Sequence, residues 1–318
     1  MNKIFNIAIE EIKVLFKEKI FFVLLSVFIL MSFLSSSLGF IATKTTTSIY
    51  NSSVIFLTQK GVSNIPTNPI SSFGALTDFR NIIIYMFLIG ALLAVVIGHR
   101  SFIRERKSGT LPLLLSRPIS SFDLFLGKAV GIGVIIFLII FASFLIGILS
   151  SLILPFRHLS SEDIVRLILF YILSFFYLLL FAFIGLFFAI KTKSESLALF
   201  IPICIWVGIS FVLPELISGA NPTALLNPIT MNQELTQNSA FFSLMQNYLQ
   251  PFSIGGQYVS FSSELLNNSP QTILLGIMEI ISRNILNIIT LMISIGGVSA
   301  LCIYSIKQNN IGEEKIYE

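Results

Sequence analysis

The sequence predicts an all-α, polytopic integral membrane protein with six transmembrane helices. The composition is 55% hydrophobic and only 11% charged, with a mean hydropathy of +0.90, far outside the range of soluble globular domains. Six uncharged apolar runs are each long enough to supply the roughly 20 residues that cross a bilayer. The basic residues cluster at the edges of these runs, where they orient helices in the membrane.

An amphipathic segment, residues 1–19, precedes the first apolar run. Within it Ile4, Ala8, Ile12 and Leu15 recur at helical spacing. This spacing predicts an interfacial helix that lies along the membrane; a polar extension of the first span is the alternative. The uncharged runs that follow predict spans at residues 20–42, 81–98, 129–156, 167–190, 196–213 and 284–306.

The distribution of Lys and Arg predicts that both termini are cytoplasmic. With the N-terminus inside, fourteen of the 20 basic residues fall on the inner side and six on the outer side, in agreement with the positive-inside rule. Residues 271–282 form either a short helix at the outer leaflet or an early start of the sixth span. The predicted organisation is a cytoplasmic helix (1–19), spans one to five (20–218) with a cytoplasmic loop (99–128), an extracytoplasmic segment (219–283), a sixth span (284–306) and a cytoplasmic tail (307–318).

Several classes of function are disfavoured by what the chain lacks. The six runs contain no ionisable side chain, which argues against an ion-coupled carrier, because such carriers need charges inside the membrane. His99 and His158 fall at opposite membrane faces, so they cannot share a metal or form a catalytic pair. Cys204 and Cys302 lie within apolar runs, and no phosphate-binding loop is present. We expect no enzyme activity in this chain, no cofactor or metal and no nucleic-acid partner.

The stretch between the second and third runs, residues 104–128, is the most informative. It carries five basic residues in an otherwise apolar region. Ser108-Gly109 predicts a turn. Pro118 and Gly127 are typical of the first turn and the end of a helix, so we predict a short amphipathic helix over residues 118–126 at the cytoplasmic face. A membrane-surface helix without a partner would have the same pattern.

The motifs in this stretch resemble the signature of ABC-2 type permeases. Arg104-Glu105-Arg106 precedes Ser108-Gly109-Thr110-Leu111, and Leu113-Leu114-Leu115-Ser116 is followed by Pro118 and then by Gly127-Lys128. The six-span layout, the amphipathic N-terminal helix and the larger outer loop between spans five and six are also similar to the short six-span permeases of that family. The resemblance therefore covers nearly the whole chain.

This resemblance implies the permease subunit of an ABC transporter that exports a substrate across the cell membrane. A separate cytoplasmic ABC ATPase would supply the energy, and a second permease subunit, identical or a paralogue, would complete the path in the lipid bilayer. A different class, left open by the residues, is a non-transporting membrane scaffold or sensor whose outer segment (219–283) binds a partner. The positions that match the family's ATPase contact are Glu105, Gly109, Thr110, Pro118, Ile119, Phe122, Asp123, Phe125 and Leu126, with a secondary contact at Lys191, Lys193 and Glu195.

Overall fold

The computed structural model confirms an all-helical, multi-pass membrane protein. It describes residues 2–17, 19–62, 65, 68, 75–110, 119–153, 159–213, 248, 253–266 and 275–317. Within these residues every regular element is a helix, and six helices are long and apolar enough to cross a membrane. Some residues of the sequence analysis lie outside the described part of the chain: the predicted contact residue Pro118, residues 111–116 of the motif, His158 and most of residues 219–283.

The first span is one long helix, and the second combines four consecutive helical segments. The elements are α1 (Asn2–Lys17), α2 (Lys19–Gln59), a 3₁₀ turn (Ala75–Phe79), α3 (Asn81–Tyr85), a π-helical turn (Met86–Gly90), α4 (Ala91–Lys107), α5 (Ser121–Ile153), α6 (Ser161–Lys191), α7 (Glu195–Val207), a second π-helical turn (Gly208–Val212), α8 (Ile254–Leu265), α9 (Ile277–Arg283) and α10 (Ile285–Tyr317). Short connections join α1 to α2, α6 to α7 and α9 to α10.

The helix that contains the first predicted span is longer than that span. Its apolar run ends at Ala42, yet α2 continues to Gln59. Hydroxyl side chains in this polar part fold back onto carbonyls one turn earlier; Thr46 Oγ1 donates to the Ala42 carbonyl at 2.9 Å, for example. Hydropathy ends a predicted span where the apolar residues end, although nothing in the Ser/Thr-rich continuation stops a helix. The continuation adds roughly 25 Å of helix beyond the predicted end.

The ambiguous segment before the sixth span is a separate short helix. α9 ends at Arg283, and Asn284, with φ of −99° and ψ of 12°, interrupts the helical geometry before α10 begins at Ile285. The Asn284 side chain donates to the Glu264 carboxylate at 2.7 Å. Residues 277–283 are therefore not an early start of the span.

Part of the segment predicted to be extracytoplasmic packs inside the bundle. α8 lies against α6 and α10, and its Tyr258 ring stacks on Tyr177 of α6 with centroids 4.1 Å apart. The Tyr258 hydroxyl also lies 2.8 Å from Ser174 Oγ. Because these partners sit near the middle of α6, α8 reaches well into the helix bundle.

Helix α6 is the centre of the bundle and contacts α4, α5, α7, α8 and α10. Its closest neighbour is α4. A Cβ atom on Gly98 of α4 would overlap the Ala182 carbonyl of α6, and one on Gly185 of α6 would overlap the Val95 carbonyl of α4. Small residues at facing positions let two membrane helices approach closely. This pair of glycines therefore sets the distance between spans two and four.

One face of the bundle, which we call the terminal face, collects the functional candidates. It comprises α1, the connection between α4 and α5, the connection between α6 and α7, and the end of α10. Lys191 Nζ donates to Gln308 Oε1 at 3.0 Å, which joins the ends of α6 and α10 there. The sequence predicts that this face is cytoplasmic.

Candidate functional site at the terminal face

A buried ion cluster joins three helices at the terminal face. Lys128 of α5 is fully buried, and its Nζ lies 2.7 Å from Glu105 Oε1 of α4 and 3.4 Å from Glu11 Oε2 of α1. Lys128 Nζ also donates to the Ser101 carbonyl at 2.9 Å. Arg104 Nη2 lies 3.2 Å from the same Glu11 oxygen. Two basic groups are therefore held by two carboxylates that come from different parts of the chain.

Helix α1 contributes Glu11 because of the face on which this residue lies. Ala8, Glu11 and Leu15 are all buried, and their spacing of three and four residues places them on one side of the helix. That side packs against α5, while the aromatic rings of Phe5 and Phe16 remain exposed. The predicted N-terminal helix is present, and its position along the membrane surface stays a prediction. Packing of α1 on α5 therefore buries the Glu11 carboxylate beside Lys128.

Two glycines of α5 form the seat for α1. A Cβ atom on Gly127 would lie 2.6 Å from Ile7 Cβ, and one on Gly131 would lie 2.7 Å from Glu11 Cβ. Real carbon atoms do not approach so closely, so any side chain here would displace α1. The prediction that Gly127 ends a helix is wrong: α5 runs through it without interruption, and its missing side chain serves helix packing instead.

Replacing Gly131 by Leu should separate α1 from α5. We expect the rate of thiol labelling at an introduced Ala8→Cys to rise about tenfold or more, because overpacking typically costs 1–3 kcal/mol. The measurement uses a background in which Cys204 and Cys302 are replaced by Ala. Val130→Leu is the matched control, since Val130 is exposed. Unchanged labelling in the Gly131 variant would contradict the proposed seat.

Arg106 connects the end of α4 to the end of α6. Its Nη1 donates to the Thr192 carbonyl at 2.7 Å, and its Nη2 donates to the Ala189 carbonyl at 2.9 Å. These carbonyls belong to the last turn of α6, where helical backbone acceptors lack partners and a positive charge is favourable. The adjacent Lys107 pairs with Glu195 of α7 at 2.8 Å. The end of α4, which the sequence predicts as the primary ATPase contact, therefore lies beside the predicted secondary contact at the α6–α7 connection.

The turn after α4 involves two of the predicted contact residues. Gly109 has φ of 68°, in the left-handed region that favours glycine. Its N–H donates to the Arg106 carbonyl at 3.3 Å, and the Thr110 N–H donates to the Glu105 carbonyl at 3.2 Å. This is the Schellman pattern that ends a helix. The predicted turn is present. Both residues are exposed, and their contact with an ATPase stays a prediction.

The predicted amphipathic helix is the beginning of the third span. α5 begins at Ser121, and the Asp123 N–H donates to Ser120 Oγ at 3.0 Å, an arrangement typical of a helix N-terminus. Pro118 lies outside the described residues. Since α5 continues past Gly127, the start of this span and the predicted contact surface form one rigid element.

The predicted apolar contact residues differ in exposure. Phe122 is 53% exposed, whereas Phe125 is only 4% exposed and its ring packs against Phe183 of α6 with centroids 5.5 Å apart. Ile119 and Leu126 are partly buried against the core. Among these four, Phe122 is therefore the one whose side chain is available to a partner, and it gives the clearest test.

The secondary contact residues lie on the connection between α6 and α7. Lys193 is exposed, whereas Lys191 and Glu195 are exposed but bonded to Gln308 and Lys107. Within the described part of the chain, no group of three or more His, Cys, Asp or Glu side chains could hold a metal, and Cys204 and Cys302 are free thiols.

Three residues of this site have structural roles that sequence reasoning did not assign. Glu11 and Lys128 are buried partners, and Arg106 binds the end of α6. The available signals were the position of Glu11 between Ala8 and Leu15, and the i, i+4 pair of glycines on α5. Neither signal identifies its partner, because the contacts join helices that are distant along the chain.

Comparison with known proteins supplies a family. A family model described as an ABC-2 family transporter protein matches residues 5–310, a range that contains the ion cluster and all six spans. No curated protein matches the chain.

Proposed function

Because the chain belongs to the ABC-2 family of transporter proteins, we propose that a separate cytoplasmic ABC ATPase drives it to export a substrate across the cell membrane. Family membership and the six spans identify the chain itself as a multi-pass membrane permease of an ABC transporter. In this proposal the terminal face is cytoplasmic, both termini lie inside, and the chain has no ATP-binding motif of its own. The connection between spans five and six (219–283) lies on the extracytoplasmic side, and α8 extends from it into the bundle.

The observation that carries the proposal is the way the predicted coupling region is joined to the bundle. Lys128 links the start of α5 to α1 and α4, while Arg106 links the end of α4 to α6. A force applied to the first turn of α5 by an ATPase would therefore act on three other helices through buried or partly buried contacts. Such a connection converts movement of a soluble partner into movement of spans.

A second permease subunit, identical or paralogous, completes the proposed transporter. Two cavities between the described helices have volumes of about 10 Å³ each, which is room for roughly one water molecule. Neither of these two cavities could pass a substrate, and we place the path at the surface that the two subunits share. Spans five and six supply candidate surface, since they expose large apolar side chains such as Phe200 and Ile293.

Replacing Phe122 by Asp should remove the ATPase from the complex. We expect ATPase recovery to fall about tenfold or more when the tagged permease is purified from cells that also express its neighbouring genes, because a charge replaces an exposed apolar anchor. Leu126 is a poorer target, since it packs partly against the core. The amount of permease in the membrane should not change.

Ser120→Asp is the matched control. It adds the same charge two residues away and keeps a side chain suited to the helix N-terminus. Equal ATPase recovery with Phe122→Asp and with the control would contradict a role for Phe122. If the wild-type protein recovers no ATPase, the coupled-exporter proposal is wrong and the scaffold or sensor function is favoured.

A further inference from the structure

A groove of about 580 Å³ opens at the terminal face between α1 and the end of α4. Its polar lining comes from Asn6, Glu10 and Glu11 on α1 and from Arg104, Glu105, Ser108 and Thr110 on α4 and the turn that follows. The groove therefore lies directly beside the ion cluster and the predicted coupling region.

Two carboxylate oxygens at this groove are buried and have no hydrogen-bond partner. Glu11 Oε2 faces Arg104 and Lys128, and Glu105 Oε1 faces Lys128. Among the described residues, the other oxygen of each carboxylate, Glu11 Oε1 and Glu105 Oε2, has none. Glu11 is only 2% exposed. Buried polar atoms without partners are uncommon and costly in folded proteins, so these two oxygens are candidate acceptors, which a group entering the groove would reach by displacing the side chains that cover them.

The charges around the groove do not balance. Glu10, Glu11 and Glu105 contribute three negative charges, whereas Arg104 and Lys128 contribute two positive charges. Among these described residues, the carboxylates outnumber the basic groups by one. Glu10 is exposed, so its carboxylate adds to the negative potential at the mouth of the groove.

The acceptors are held in place before any partner binds. The stem of Glu11 packs against Gly131, where a Cβ atom would lie 2.7 Å from Glu11 Cγ. The Glu105 carboxylate is held by Lys128, whose Nζ lies 2.7 Å from Glu105 Oε1. Fixed acceptors reduce the entropy lost on binding, which favours one well-placed donor group.

We propose that this groove receives one basic side chain, arginine by preference, from the ABC ATPase; the inference rests on the function proposed above. A guanidinium has five N–H donors in a planar fork and stays charged, so it can serve oxygens from two carboxylates at once. It would balance the excess negative charge of the groove lining and supply N–H donors to the Glu11 and Glu105 carboxylates. The groove then recognises the partner by its positive charge, while Phe122 on α5 provides an apolar contact.

The test measures the affinity of the purified ATPase for the full-length permease in lipid nanodiscs. Glu10→Lys is the main variant, because Glu10 lines the groove, is exposed and takes no part in the ion cluster. We expect the affinity to fall about tenfold or more, as for loss of a charge pair at an interface. Lys13→Gln is the control: it changes an exposed charge on the same helix outside the groove lining. We expect its affinity to stay within about twofold.

A reciprocal change identifies the partner residue. The surface arginines and lysines of the ATPase are changed one at a time to Glu and assayed against Glu10→Lys. We expect one of these changes to restore much of the lost affinity, and Glu10→Gln to fall between the wild type and Glu10→Lys.

Four outcomes would overturn the inference. Wild-type affinity in Glu10→Lys would show that the groove does not bind a charged partner. An equal loss in Lys13→Gln, which changes the charge in the opposite direction, would show that the loss does not come from the charge of the groove. Failure of every reciprocal change would show that no single basic residue of the ATPase occupies the groove. These three outcomes leave ATPase binding by the wild type intact, and with it the proposed function. Absence of ATPase binding by the wild type would remove the proposed function and the inference together.

Discussion

Replacing Lys128 by Met should lower the free energy of unfolding by about 3–5 kcal/mol, the usual cost of removing one partner from a buried ion pair. Lys128 is fully buried and its Nζ lies 2.7 Å from Glu105 Oε1. Without it, Glu105 keeps a largely buried charge that no other described cation faces at that distance. The measurement is equilibrium or thermal unfolding of the purified protein in detergent micelles.

Two further variants separate loss of the pair from loss of packing. Lys128→Met combined with Glu105→Gln should cost less than Lys128→Met alone, because the uncompensated charge is removed as well. Lys107→Met should cost less than about 1 kcal/mol, because the Lys107–Glu195 pair is exposed to solvent. If the double variant is less stable than Lys128→Met, the charge pairing is not what stabilises this end of the bundle.

Replacing Gly98 by Ala should cost about 3 kcal/mol, the upper part of the range for overpacking. A Cβ atom on Gly98 would overlap the carbonyl oxygen of Ala182. That obstacle is backbone within a helix, so a side-chain rotation cannot relieve it and α4 must move away from α6. The same unfolding measurement checks the prediction.

Gly133→Ala provides the matched control inside the bundle. A Cβ atom there would meet Phe175 Cζ at 3.9 Å, an ordinary contact, and Ala is favoured over Gly in a helix by roughly 0.5–1 kcal/mol. Gly98→Ala and Gly185→Ala together should cost less than the sum of the two, since one separation of α4 from α6 relieves both overlaps. A neutral Gly98→Ala would show that these helices are not in close contact.

Much of the candidate site could be anticipated from the sequence, but not the way it is assembled. The turn at Gly109 followed from local backbone chemistry, which needs only neighbouring residues. The role of Gly127 did not, because a glycine that ends a helix and one that receives another helix look the same in a linear chain. Phe125 illustrates the same limit. It shares the pattern of exposed Phe122, yet it packs against Phe183, which no local pattern indicates.

The fold class and the six spans followed from the sequence alone, because a bilayer admits few solutions. A chain in hydrocarbon must satisfy its backbone hydrogen bonds internally, so apolar runs of sufficient length become helices whatever their neighbours. The tertiary structure decided which charges are buried. Glu11 and Lys128 are 117 residues apart in the chain, and they meet because α1 lies in a seat of two glycines on α5. Such pairing depends on the distance between packed helices, a property that exists only after the chain has folded.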